Sequence, residues 1–169
     1  MRVVRGPPVR AFRAAAAIRS APVTEDFRAM HGLYLEDLKT GMSAQFGKTV
    51  GEADIQAFAG VSGDTNPIHL HQGFAATSRF GQRIAHGMLS ASFISTVVGT
   101  KLPGPGSIYI SQSLNFKAPV KIGDTVTAVC TIVDIDAAKR RVRLATECRV
   151  GTTVVLDGEA VILVPRRPA

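Results

Sequence analysis

Met88-Leu89-Ser90-Ala91-Ser92-Phe93-Ile94-Ser95-Thr96-Val97-Val98-Gly99-Thr100 contains no charged residue, and only small side chains interrupt its apolar ones. The run is well short of the roughly 20 residues that span a bilayer. A helix with no charged face is one that protein surrounds on every side. Gly99 and then Pro103 mark its end. Four runs of period-two alternation follow, with no second helix between them. Ser107–Lys117 places Ile108, Ile110, Leu114 and Phe116 among its apolar positions, and Asp124–Asp136 carries Val126, Ala128, Cys130 and Ile132 on one phase. Arg140–Val150 sets Val142, Leu144, Thr146, Cys148 and Val150 against Arg141, Arg143, Glu147 and Arg149, and Thr152–Val164 closes the series. The joints at Pro119–Asp124, Ala137–Lys139 and Gly151 are turn-like. Consecutive strands of this kind make an antiparallel sheet with one wet face and one face on the helix. The fold class is therefore α+β: a long central helix wrapped by an antiparallel β-sheet.

Working back from the helix, Gln72–Phe80 reads as a short helix ended by Gly81. Gly51–Ala59 reads as another, with an acidic first turn and Ile55, Phe58 and Ala59 at helical spacing. Tyr34–Thr49 reads as an entry segment with a turn at Thr40-Gly41-Met42. Between these elements the sequence Ser62–Met88 concentrates titratable chemistry. Asp64 and His69 flank a Thr-Asn-Pro-Ile turn in which Pro67 keeps Asn66 out of the helical region. A carboxylate and an imidazole on one stiff turn can hold a water or hydroxyl between them, as general acid/base catalysis requires. Ala85-His86-Gly87-Met88 opens the long helix, so backbone N–H groups with the positive end of a helix dipole lie nearby.

Each of these residues also has a plain structural use. Asp64 caps turns of this type, His69 alone is a satisfied imidazole, and Asn66 shapes the Asn-Pro turn. His86 caps or packs beside the helix start, and Ser95 is one of several small residues on a packed helix. His69 and His71 have the i, i+2 spacing of some metal sites, but a third ligand would have to come from His86, so no metal is expected. Arg79, Arg83 and Lys101 are as well explained by solvation as by anion binding, and receive no assignment.

The length of 169 residues suits one domain. Cys130 and Cys148 fall on inward strand phases and are expected as free core residues. The net charge of +7 is unevenly spread: residues 1–29 hold six Arg and two acids, and the remaining 14 basic and 11 acidic residues leave +3. No basic face interleaved with aromatics is present, so nucleic acid is not an expected partner, and no apolar run approaches the roughly 20 residues of a span, so neither is a membrane. A mild positive excess suits an anionic thioester or an acidic carrier protein. Residues 1–29 are expected to be a disordered basic extension, either a transit peptide or a stretch upstream of a working start at Met30. The second alternative places the protein in a bacterial cytoplasm and the first in a mitochondrial matrix. Residues 30–165 form the domain and 166–169 a tail.

Gly63-Asp64-x-Asn66-Pro67-x-His69, followed by Ala85-His86-Gly87-Met88, resembles the MaoC-type (R)-specific enoyl-CoA hydratase family. Leu102-Pro103-Gly104-Pro105-Gly106-Ser107 and Asn115-Phe116-x-x-Pro119-Val120-x-x-Gly123-Asp124 extend the likeness, which runs from about Gly41 to Pro165. The resemblance implies a hot-dog fold, usually dimeric. It implies an acid/base pair at Asp64 and His69 and an oxyanion donor in the backbone N–H of Gly87. In some relatives the position of Asn66 helps orient water and that of Ser95 lines the acyl pocket. The implied reaction is reversible hydration of a trans-2-enoyl thioester of CoA or acyl-carrier protein, with Asp64 as proton acceptor and no cofactor, because the thioester itself acidifies C2. Hydration would suit β-oxidation or polyhydroxyalkanoate supply. Dehydration on a carrier protein would suit fatty-acid synthesis, and Gly99–Gly106 is similar to mitochondrial-type dehydratases of that kind. A hot-dog thioesterase would carry its carboxylate on the central helix, where Met88–Thr100 has none. A non-catalytic acyl-binding module would have no use for Asp64, His69 and Gly87 together.

Overall fold

The alternation read after Gly106 becomes five strands of one antiparallel sheet, and a sixth joins from upstream of the helices. The computed structural model describes residues 27–168. In chain order the elements are β1 (Ser43–Thr49), α1 (Glu52–Ser62), α2 (Pro67–Leu70), α3 (Gln72–Ala76), α4 (Gly87–Thr100), β2 (Ile108–Gln112), β3 (Asn115–Phe116), β4 (Thr125–Asp136), β5 (Arg141–Val150) and β6 (Thr153–Leu163). The sheet order is β1-β4-β5-β6-β2, with β3 also paired to β6.

Register explains the core. Ala128 lies opposite Cys148, Cys130 opposite Thr146 and Ile132 opposite Leu144, so all six share the face that meets the helix. Leu89, Phe93, Ile94, Val97 and Val98 of α4 are buried against that face. Thr146 is polar on an apolar face, and the side-chain Nε2 of Gln112 donates to its hydroxyl at 3.0 Å, so the buried group is satisfied. The two cysteines are buried and free as expected. Burial pushes both thiols up to about 12. At pH 8 only about one in ten thousand would be ionised at that pKa. A disulfide reagent should therefore leave the native protein unlabelled and titrate two thiols once denaturant is added; fast labelling of the native form would contradict this core.

Several expectations need correcting. Tyr34–Thr49 is not merely an entry segment: Ser43–Thr49 pairs along β4 from Ser43↔Thr131 to Thr49↔Thr125. Gly47 and Lys48 dilute its alternation, and Phe46, edge-on to Phe93 at 5.8 Å, is its only large anchor. The run Ser107–Lys117 is two strands, both paired to β6: the ladder is interrupted at Ser113–Leu114, and the register also shifts within the first strand around Ile110. The first helix runs three residues past Ala59 and stops where Gly63 takes a left-handed φ of 76°. The second is shorter, ending at Ala76, while Pro67–Leu70 forms a separate turn of helix. Most importantly, α4 is not sheathed all round. Met88, Ser92, Ser95 and Gly99 are exposed, because a single curved sheet covers only one side of a helix.

The tail is tied down: Arg166 pairs with Glu36 at 3.3 Å and Arg167 with Asp37 at 2.6 Å. Of the extension assigned to residues 1–29, all but the last three lie outside the described residues. No helix among the described residues is long and apolar enough to cross a membrane.

Candidate active site

The site is built on the segment that leaves the sheet between β1 and α4. Glu52 in the first turn of α1 grips Arg83 through both carboxylate oxygens, which fastens the start of α1 to the chain before α4. The Ile84↔Lys121 bridge and the Ala85 N–H donating to Val120 at 2.8 Å fix that stretch to the sheet's rim. Between these anchors α1 ends at Gly63 and the chain turns. The Asn66 N–H donates to Asp64 Oδ1 at 3.2 Å, and the Ile68 N–H donates to Asn66 Oδ1 at 3.1 Å. Asn66 is thus the N-cap of α2, with Pro67 in its first turn, where a missing N–H costs nothing.

α2 carries His69 inward, to 8% exposure. Its Nδ1–H donates to the Ile84 carbonyl at 2.8 Å. A carbonyl can only accept, so in the neutral ring Nε2 keeps its lone pair. His86 lies against it, with ring centroids 3.9 Å apart and planes tilted by 31°. The Nε2–H of His86 donates to the Asp64 backbone carbonyl at 2.9 Å. α4 then begins at Gly87, whose N–H has no partner within the helix. These groups share a cleft of about 650 Å³ with Phe80, Phe116 and Leu156, and Arg79 and Lys117 also line it.

Burial holds the His69 imidazole below its ordinary value of 6.5, with the Ile84 carbonyl opposing this in part. Protonation is disfavoured in the fold, so the neutral ring persists below 6.5, and the stability it contributes, fully present above 6.5, is lost as pH falls from there through the lowered pKa. Activity that needs neutral His69 should therefore have an acid limb in kcat/KM below pH 6.5; a limb above that value would count against His69.

The structure brings Asp64, His69, His86 and Gly87 together, but not Asn66 or Ser95. The Asn66 amide oxygen caps α2, and neither Asn66 nor Ser95 lines the cleft. Ser95 sits on the uncovered side of α4, whereas Ser90, one turn after Gly87, faces the cleft. Sequence reasoning missed Ser90 and Phe116. The i, i+3 spacing from Gly87 could have found Ser90, while nothing local signals Phe116. His71 is exposed and accepts the Phe74 N–H at 3.0 Å. Donor atoms of Asp64, His69 and His86 lie within 4.8 Å of one another, as a metal site would need. One nitrogen of each ring donates to a backbone carbonyl, which leaves His69 Nε2 and His86 Nδ1 as the free ring nitrogens.

The fold and the site can be set beside known proteins. The MaoC like domain family matches residues 35–155. A Rhodospirillum rubrum (R)-specific enoyl-CoA hydratase is 56% identical over 134 residues, covering 79% of this chain and 93% of the relative. A Methylorubrum extorquens 3-hydroxybutyryl-CoA dehydratase is 51% identical over 135 residues, covering 80% and 86%. The solved structure of R-hydratase PhaJ1 from Pseudomonas aeruginosa superposes with a TM-score of 0.76 at 43% identity, over 80% of this chain and 88% of that one. With its curved antiparallel sheet around α4, the chain belongs to the MaoC-like family of hot-dog proteins.

Proposed function

We propose that this chain is a hydro-lyase that reversibly adds water across the C2=C3 bond of a trans-2-enoyl-CoA to give the (R)-3-hydroxyacyl-CoA. The observation that carries the reading is the convergence of Asp64 and His69 on one cleft with Gly87, the first residue of α4. A water making two ordinary hydrogen bonds spans about 4.5 Å, which suits donor atoms lying within 4.8 Å of one another. The His69 tautomer refines the roles expected from sequence. Its Nε2 can only accept, as can the Asp64 carboxylate, so the water donates to both and presents a lone pair to C3. As the C3–O bond forms, the water's proton passes to this pair and the C2=C3 electrons move onto the thioester oxygen. The Gly87 N–H and the α4 dipole stabilise that enolate, which then takes the proton back at C2. Water is thus fully accounted for, hydroxyl on C3 and hydrogen on C2, and dehydration is the same path reversed. No other co-reactant enters the balance.

Thioester anions are drawn to Arg79 and Lys117 along the cleft, whether the carrier is CoA or a carrier protein. We also propose a homodimer in a bacterial cytoplasm. The edge strand β2 leaves Ile108 and Ile110 at 57% and 46% exposure, and the bare small-residue side of α4 needs covering. Light scattering after gel filtration should give twice the 17.9 kDa chain mass. The test of the activity is the loss of the conjugated enoyl-thioester absorbance when crotonyl-CoA is mixed with the protein, with the product resolved by chiral analysis. No absorbance change, or an (S) product, would refute the reading.

A further inference from the structure

His86 is the N-cap residue of α4, yet its side chain makes no capping bond there. The ring instead turns back over the site. It is 2% exposed, lies 3.9 Å from His69 and 5.1 Å from Phe58 between centroids, and donates Nε2–H to the Asp64 carbonyl at 2.9 Å. Its Nδ1 is buried without a partner, a cost that a ring of similar size lacking nitrogen would avoid. Something therefore has to favour the donor at Nε2.

The turn carrying Asp64 shows what that is. Its other hydrogen bonds are all local: Asp64 N–H to Ser62 Oγ at 3.2 Å, Thr65 N–H to Gly63 at 3.0 Å, Asn66 N–H to Asp64 Oδ1 at 3.2 Å. Local bonds shape a turn but do not say where it sits. Among the described hydrogen bonds, only the one from His86 ties residues 63–66 to the tip of α4, across 22 positions of sequence. The same residue immediately precedes Gly87, which lines the cleft.

We propose that His86 is a positioning residue that sets the Asp64 carboxylate relative to His69 and to the Gly87 N–H. Its donor fastens the turn, its ring face braces the His69 imidazole, and its backbone begins the helix that offers the oxyanion donor. This rests on the hydratase reading above. Misplacing a reacting group by about 1 Å can cost 10²-fold in rate.

The test uses the full chain, crotonyl-CoA hydration, and two variants. His86→Phe keeps an aromatic ring of similar size and removes the donor; His86→Gln keeps a donor and loses the ring. His86→Phe should lower kcat about 10²-fold with KM within about twofold of wild type, and His86→Gln should recover about tenfold of that loss. In an Asp64→Asn background either change should cost less than about twofold, because the group being positioned is already gone. Equal losses in both backgrounds, a loss confined to KM, or no advantage of Gln over Phe would overturn the proposal. If His86→Phe does not fold by circular dichroism, the His86→Gln and Asp64→Asn cycle decides it alone, with an expected loss of about tenfold in the first background and none in the second. A wild-type chain without turnover would sink the hydratase reading and this inference together. Turnover undiminished in both His86 variants would sink only this one.

Discussion

Asp64→Asn lowers kcat for crotonyl-CoA hydration about 10³-fold while leaving the fold intact, within the range of 10² to 10⁴ for removing a positioned acid/base group. Asp64 is exposed, and among the described residues its only side-chain hydrogen bond is accepted from the Asn66 N–H, a role that an amide oxygen fills equally well. The melting temperature should therefore move little. What the variant loses is charge: a neutral amide does not take a proton from water. His69→Gln tests the other half of the pair and should fall by a similar factor. Its stability should drop by about 1 kcal/mol, the net value of an ordinary hydrogen bond, to the extent that the glutamine amide fails to reproduce the bond to Ile84. The two losses should not multiply, because both groups act on one water. Rapid-mixing measurement of the enoyl-thioester absorbance reads all three variants. If Asp64→Asn and His69→Gln both kept wild-type turnover, the site would have to be sought elsewhere in the cleft.

Gly87→Ala has the second-largest expected effect, a fall of about 10²-fold in kcat/KM, comparable with the loss of one oxyanion donor. A Cβ at this position would lie 2.7 Å from Cε1 and 2.9 Å from Cδ1 of Phe116, too close for either to stay in place. Phe116 is 56% exposed, so its ring can swing outward and the chain still folds. Alanine's better helix propensity, about 1 kcal/mol over glycine, offsets part of the strain. The N–H survives, but a methyl group now stands where the thioester must approach it. Phe116 makes the explanation testable. If the damage came only from the displaced ring, Gly87→Ala with Phe116→Ala would regain activity. Obstruction of the N–H predicts that the double variant stays as slow as Gly87→Ala alone.

Local patterns in the sequence reported local things correctly. The charge-free run at 88–100 is the central helix, and the alternation of Val126, Ala128, Cys130 and Ile132 against Val142, Leu144, Thr146 and Cys148 is the inner face of the sheet. Asn66-Pro67 gives the bend between Asp64 and His69. Each of these depends on residues a few positions apart, where dihedral preference and side-chain period act directly. β1 was illegible because only seven residues, with one large apolar anchor, must be recognised by a partner strand some 80 positions away.

The site divides along the same line. Asp64, His69 and Gly87 could be singled out as candidates from their types, their spacing and the family resemblance. What the histidines do depends on contacts that no window of sequence contains. Ile84 fixes the tautomer of His69 from 15 residues away, and Asp64 receives the His86 donor from 22 away. Ser95 and Ser90 differ by five positions on one helix and look interchangeable in sequence, yet one faces the open side and the other the cleft. The sequence by itself determined the elements, the inward phases and the inventory of reactive groups, because those follow from short-range backbone preference and apolar periodicity. Only the tertiary structure decided which lone pairs and N–H groups meet in one cavity, because that depends on the sheet's curvature carrying a proline-bent turn over the start of α4.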